Sequence, residues 1–210
     1  MAVWGLDRDE MVAIADEIGF RPKRSARHFL YEPDAVGLVI SMCDVSDGNH
    51  VLEIAPGMGA LTVELLGFGA YVTGVEVDPL LARQLPKTLG FHMHSELLRL
   101  TVIQEHVGTL GATDIDDDPS VLLLHVPPDL ATGAVLHLLA EFPSVRRVVA
   151  IGESLADRWR PVSRGARGYD VAVAKLRYLA DLRNKARLPR AAFWPKPTRD
   201  PDLVRLDVVD

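Results

Sequence analysis

The residues best suited to chemistry in this chain follow short apolar runs. In Val121-Leu122-Leu123-Leu124-His125-Val126-Pro127-Pro128, four apolar residues lead into a histidine and two prolines. Such a run is a buried parallel strand, and the prolines stiffen the loop at its end. An imidazole of ordinary pKa, about 6.5, could act there as a general base or orient an acidic O–H or N–H. The plain alternative is a strand-end histidine that only bonds locally. A second run, Val51-Leu52-Glu53-Ile54, enters Ala55-Pro56-Gly57-Met58-Gly59 and then a helical pattern. Glycines let backbone turn sharply and approach a ligand at a helix N-terminus. The spacing does not match the dinucleotide fingerprint G-x-G-x-x-G. A third run ends in Glu76, about twenty residues beyond the glycine turn, and a carboxylate there suits the two hydroxyls of a ribose. Asp78-Pro79 reads as a helix start.

These loops need a frame. Residues 7–19 carry apolar positions 11, 12, 14, 15 and 18 at helical spacing, with Gly19 as a stop. Residues 21–30 are a basic loop, and Pro33 opens a helix through Cys43. Strands are predicted at 50–55, 70–78, 100–105, 121–125 and 146–152, and a final alternating strand at 203–209. Helices are predicted after the glycine turn, from Pro79 to about Leu85, at 131–140 and over Ser154–Trp159. Residues 86–99 read as irregular or weakly helical, 113–119 as an acidic loop, and 170–183 as a helix followed by a strand. Strands alternating with helices predict a doubly wound α/β fold, whose ligands sit at the carboxyl ends of the strands. The loops after Ile54, Val77, Glu105, His125 and Ile151 are therefore the places for a site.

Composition narrows the classes. The chain has 210 residues, 48% of them apolar, enough for one large domain with a sizeable core. No run approaches the roughly 18–20 apolar residues of a membrane span. The N-terminus lacks the pattern of a secretory signal, so a cytoplasmic protein is expected. The single cysteine, Cys43, excludes an internal disulfide and a cysteine-based zinc site, and reads as an inert core thiol. No metal site is expected. Charge is uneven: residues 1–145 carry a net −13 and residues 146–210 a net +7. The basic part is either a face for an anionic partner or an ordinary solvated surface.

The motifs and their order resemble one family. Glu53 and the turn through Gly59 are similar to the E-x-G-x-G-x-G turn of S-adenosylmethionine methyltransferases, with Ala55 in place of the first glycine. Arg24-Ser25-Ala26-Arg27-His28-Phe29-Leu30 resembles the basic opening segment and G-Q-N/H-F-L of the rRNA adenine N6-dimethyltransferases. The run Gly74-Val75-Glu76-Val77-Asp78-Pro79 follows at a matching distance. "VAIGESLADRW" resembles that family's V-Q-x-E-V-A-D-R-L, and "FWPKP" its F-x-P-x-P segment. The resemblance covers about residues 21–209.

The resemblance implies a Rossmann-like S-adenosylmethionine-dependent methyltransferase fold, with a seven-stranded, mostly parallel sheet and helices on both faces. It implies S-adenosylmethionine contacts from His28, Leu30, Glu53, Ala55, Gly57, Gly59, Glu76, Val77, Glu105, His106 and His125. It places His125, Pro127 and Phe193 on the target base. Residues 1–30 would be an N-terminal helix and basic segment, and 31–210 the catalytic domain, without the family's C-terminal helical RNA-binding domain. Several positions depart from the pattern. His125-Val126-Pro127-Pro128 stands for N-L-P-Y, so the amide becomes an imidazole and the stacking ring is absent. His106 stands where an acidic residue reads the cofactor adenine, with Glu105 beside it. Arg27 replaces Gln, and Gly152 and Ser154 replace Gln and Glu. The expected partner is therefore RNA, rRNA in particular, or a small-molecule acceptor served by His125. A methyltransferase scaffold recruited to a non-methylating or non-enzymatic role is the third reading.

Overall fold

A computed structural model describes residues 5–22, 27–116, 118–160, 163, 165 and 167–209. Residues 23–26 of the basic segment, Arg24 among them, and Arg164 lie outside the described residues.

Helix α1 (Arg8–Glu17) starts where the Asp7 carboxylate accepts the Glu10 N–H at 2.8 Å, an N-cap that satisfies one of the free donors of a first turn. Helix α2 (Pro33–Cys43) is capped by Glu32 and opened by a proline at its first position. Strands β2 (His50–Ile54), β3 (Tyr71–Val75), β4 (Leu100–Ile103), β5 (Val121–Leu124) and β6 (Arg147–Gly152) pair in parallel, in the order β4-β3-β2-β5-β6. Strand β9 (Asp202–Val208) joins β6 antiparallel, and β7 (Ala180–Arg187) forms the far edge beside β9. This is the expected seven-stranded, mostly parallel sheet. Between the strands run α3 (Ala60–Gly67), α4 (Pro79–His92), α5 (Pro128–Glu141), α6 (Leu155–Arg158) and α7 (Val171–Leu179).

Alternation along the strands divides the core. Val51, Leu123 and Val149 face a cluster that includes side chains of α1 to α4. Leu52, Leu122, Leu124 and Val148 face a second, built from α5, Trp159 and α7. A sheet buried on both faces needs apolar residues at successive positions, which is why its strands read as continuous runs. The N-terminal segment shares this packing: Leu6, Met11, Ile14 and Phe20 lie in the first cluster. Cys43 is fully buried and its thiol is pushed up to about 12 by burial, so it is a packing group.

Four expectations are corrected. Helix α4 does not stop near Leu85 but runs through Pro86 to His92, and Glu96–Arg99 is a turn of 3-10 helix. Leu81, Leu85 and Leu89 continue one buried stripe across the proline. Helix α5 begins at Pro128, because a proline at the first position lacks only an N–H that would go unbonded there. Strands β3 and β5 end at Val75 and Leu124, which leaves Glu76 and His125 just beyond the ladder. A two-stranded clasp, β1 (Phe29–Leu30) antiparallel to β8 (Phe193–Trp194), was not foreseen.

Candidate active site

The chain order reverses at β2: β3 and β4 lie on one side, and the chain then returns to place β5 on the other. A crevice opens at the carboxyl ends of two strands where this happens. Ile54 and Leu124 are paired there, and the His125 N–H bonds to the Ile54 carbonyl at 3.3 Å. Sheet topology thus brings His125 beside the glycine turn.

The turn itself is left-handed at Ala55 (φ 61°), Gly57 (φ 61°) and Gly59 (φ 95°). A side chain at Gly57 would meet the Phe29 ring at 2.7 Å, and one at Gly59 would meet Leu85 at 2.7 Å. Both glycines are therefore required by close packing as well as by backbone conformation. Ala55 bears a methyl group in a conformation that costs an L-residue roughly 1–2 kcal/mol.

Two carboxylates lie under the turn. Glu53 is buried, accepts the Thr62 hydroxyl at 2.7 Å, and is raised to about 7, chiefly by burial. Glu76 is completely buried. It accepts the N–H of Asp78 at 2.9 Å and of Gly57 at 3.3 Å. Both terminal nitrogens of Arg27 meet it at 2.8 Å, one on each oxygen. Arg27, which stands where the resemblance expects Gln, thus holds with its fork the carboxylate that the sequence reading gives to the ribose.

On the far side of the turn His125 is half-buried, edge-on to the Phe193 ring with centroids 5.7 Å apart. Burial, and then the positive fields of His28 and Arg27, lower its pKa to about 4, so the imidazole is neutral at pH 7. That replaces the expectation of a base titrating near neutrality. His28 is anchored by Nδ1 on the Pro195 carbonyl at 2.6 Å. Glu105 accepts the His106 N–H and the Thr109 hydroxyl, which hold its carboxyl below the usual range.

One cavity of about 500 Å³ joins these groups. Its wall includes His28, Leu30, Glu53, Ala55, Val77, Glu105, His106, His125 and Pro127 from the sequence-predicted set, with Arg27 beside them. Gly57, Gly59, Glu76 and Phe193 stand behind the wall and shape it. Met11, Met58, Leu130, Glu153, Pro197 and Pro201 also line it and were not singled out. Glu153 follows β6, a strand end already marked as a place to look, and its carboxylate accepts the Thr198 hydroxyl at 3.1 Å. Met11 carried no signal beyond helical spacing.

The family model of ribosomal RNA adenine dimethylase matches residues 21–210. The chain belongs to the ribosomal RNA adenine dimethylase family. Among relatives, a ribosomal RNA small subunit methyltransferase A of Mycobacterium sp. (strain KMS) is 39% identical over 99% of this chain and 71% of its own length. Among solved structures, a dimethyladenosine transferase from Plasmodium falciparum superposes with a TM-score of 0.72 at 20% identity, over 86% of this chain and 63% of that one. The 23S rRNA methyltransferase ErmE gives 0.67 at 23% identity, over 86% and 70%. These two likenesses carry the fold. As a member of the dimethylase family the chain is an S-adenosylmethionine-dependent methyltransferase. The cavity has a size suited to such a ligand, and its lining includes Ala55, Pro56 and Met58 of the turn with Glu53, Glu105 and Glu153. One point of the cradle is already filled, by Arg27 on Glu76. No helix among the described residues is long and apolar enough to cross a membrane.

Proposed function

We propose that the chain methylates the N6 amino group of an adenine in ribosomal RNA, with His125 in the place of the family's amide. The observation that carries this reading is the continuity of one cavity from the glycine turn and Glu105 to His125, Pro127 and Glu153. Residues 31–210 supply the catalytic domain, and residues 1–30 add a helix and basic segment whose Met11, Arg27 and His28 reach the same cavity. S-adenosylmethionine, when bound, presents a methyl carbon on a cationic sulfur. The chain's own part is alignment, which is the main demand of such a transfer. A neutral imidazole has one acceptor nitrogen. His125 accepts one N–H of the adenine amino group and turns its nitrogen towards the methyl carbon. Pro127 and Pro128 hold the loop stiff, and Phe193 fixes the imidazole plane from behind. A bound donor would supply the methyl group, the N–C bond forming as the S–CH₃ bond breaks with its electron pair left on sulfur. The proton then leaves the cationic amino group, an acid strong enough for a weak base such as His125 or water to take it. A ribosomal substrate places the reaction in the cytoplasm.

A second reading, a compact small-molecule acceptor, is favoured by the pair Pro128 and Glu153. The first offers no ring for stacking on a base, and the second puts a carboxylate on the wall. The test is methylation of small ribosomal subunits and of short adenine-containing RNA, with N6-methyladenosine measured by mass spectrometry. The parent should methylate RNA. His125→Asn should keep that activity. Adding Pro128→Tyr should tighten RNA binding by roughly 1–3 kcal/mol, the worth of one base stacked on an aromatic ring. RNA methylation by the double variant but not by the parent would transfer the assignment to the small-molecule reading. Parent activity lost on introducing Asn would overturn the role given to His125.

A further inference from the structure

We propose that Arg27 and the cofactor's ribose compete for the Glu76 carboxylate, and that the released guanidinium then receives an anionic acceptor. The inference rests on the reading of the cavity as a methyltransferase site with RNA as acceptor. A carboxylate offers about four lone-pair positions. At Glu76 four N–H groups occupy them: Gly57, Asp78 and the two arms of Arg27. A ribose diol enters only by displacing a donor. The two backbone N–H groups belong to the turn and to the entry of α4, so they cannot leave without unfolding both. Arg27 differs in kind. Its side chain is 24% exposed and forms part of the cavity wall. Its neighbours are held in place, His28 on the Pro195 carbonyl and Phe29 in the β1–β8 clasp. The backbone is therefore an anchor, and the guanidinium swings on a long flexible stem.

The swing has a direction. Arg27 shares the cavity with His125 and Pro127, so a guanidinium freed from Glu76 stays within reach of the acceptor side. It is then an unpaired cation beside a neutral histidine. An RNA phosphate is the charge that pairs with it, and a guanidinium fork fits phosphate in two-point fashion. Each ligand thus removes an obstacle to the other: cofactor frees Arg27 for phosphate, and phosphate draws Arg27 from Glu76. Coupling between binding equilibria is reciprocal, so both affinities rise by one factor.

The experiment is calorimetric titration of S-adenosylhomocysteine into the full chain, its Arg27→Gln variant and its Arg27→Lys variant, each with and without a short adenine-containing RNA. Without RNA, Arg27→Gln should bind S-adenosylhomocysteine about tenfold more tightly than the parent. Arg27→Lys, which keeps the charge but loses the fork, should lie between and serves if the glutamine variant does not fold. Saturating RNA should tighten the parent's binding about fivefold or more, within the usual range of couplings, and leave Arg27→Gln unchanged. Equal or weaker binding by both variants overturns the competition. An RNA effect absent from the parent, or equal in parent and Arg27→Gln, overturns the coupling. If none of the three proteins binds S-adenosylhomocysteine, the cofactor site itself is misassigned and the latch falls with it. Binding without methylation of RNA would instead remove only the acceptor assignment.

Discussion

Glu53 and His125 face the same cavity and respond to pH in opposite senses. Glu53 is raised from 4.5 to about 7 in the fold, so the folded chain holds a proton that the unfolded chain releases. The stability linked to it is full below pH 4.5 and is lost as pH rises through 7. His125 is lowered from 6.5 to about 4, so the unfolded chain takes up a proton that the folded chain refuses. Its contribution is full above pH 6.5 and is lost as pH falls towards 4. Glu53→Gln should isolate one limb. The amide cannot ionise, and its oxygen still accepts the Thr62 hydroxyl. In urea unfolding of the cofactor-free protein, the variant should gain roughly 2–3 kcal/mol at pH 8 and less than about 1 kcal/mol at pH 5. A gain of equal size at both values would mean that Glu53 is already charged at pH 5. The positions of both groups were legible in the sequence as strand-end residues. Their protonation was not: the fields on His125 come from His28 and Arg27, nearly a hundred residues earlier in the chain. The same holds for Glu76, whose partner Arg27 is 49 residues away.

At the scale of elements, the strands were legible because burial on both faces demands unbroken apolar runs, as in Val121–Leu124. Their alternation with helices implied a doubly wound fold, but not the order in which β2 to β6 lie in the sheet. The clasp was not legible, since two residues per strand leave no periodicity to read. Helix α4 was cut short because a proline inside a helix loses a hydrogen bond and crowds the preceding turn. The buried stripe of Leu81, Leu85 and Leu89 outweighs that cost. Pro86 itself is exposed, so its removal opens no cavity. Pro86→Ala should therefore restore a backbone bond in mid-helix and raise stability by about 1–3 kcal/mol. Chemical denaturation measures it, and a loss of stability would mean that the proline's bend is what seats α4 against Gly59.

The whole molecule carries its charge unevenly, but the basic part is not a bare cationic face. Arg147 and Arg205 pair with Asp44 and Asp207, Arg158 with Asp129, and Arg177 with Asp181. Arg147, Arg205 and Arg158 thereby tie the basic part to Asp44 and Asp129 of the acidic part. Lys196 and Arg199 stand apart from those pairs, exposed, on the segment whose Pro197 and Pro201 line the cavity. On the proposed function they are, among the described residues, cations placed to meet an RNA backbone beside a target base. RNA affinity should fall linearly with salt on logarithmic axes, since released counterions dominate such binding. Replacing Lys196 and Arg199 together by alanine should flatten that line by about 0.7 per side chain for a single strand. An unchanged slope in filter-binding titrations would assign the phosphate contacts elsewhere, and Arg167 would be the next to neutralise.

The clasp has a consequence for synthesis. Phe29 lies against Trp194, and Leu30 against Phe193. One wall of the cavity thus comes from the start of the chain and its seal from near the end. A growing polypeptide on the ribosome makes the glycine turn early and β2 to β6 in sequence, yet it cannot close the pocket until residue 194 has emerged. Until then Phe29 has no strand partner, and His28 has no Pro195 carbonyl to anchor it. The pocket therefore comes into being as one of the last events of folding. A nascent chain halted before β8 would hold most of the sheet and no finished pocket.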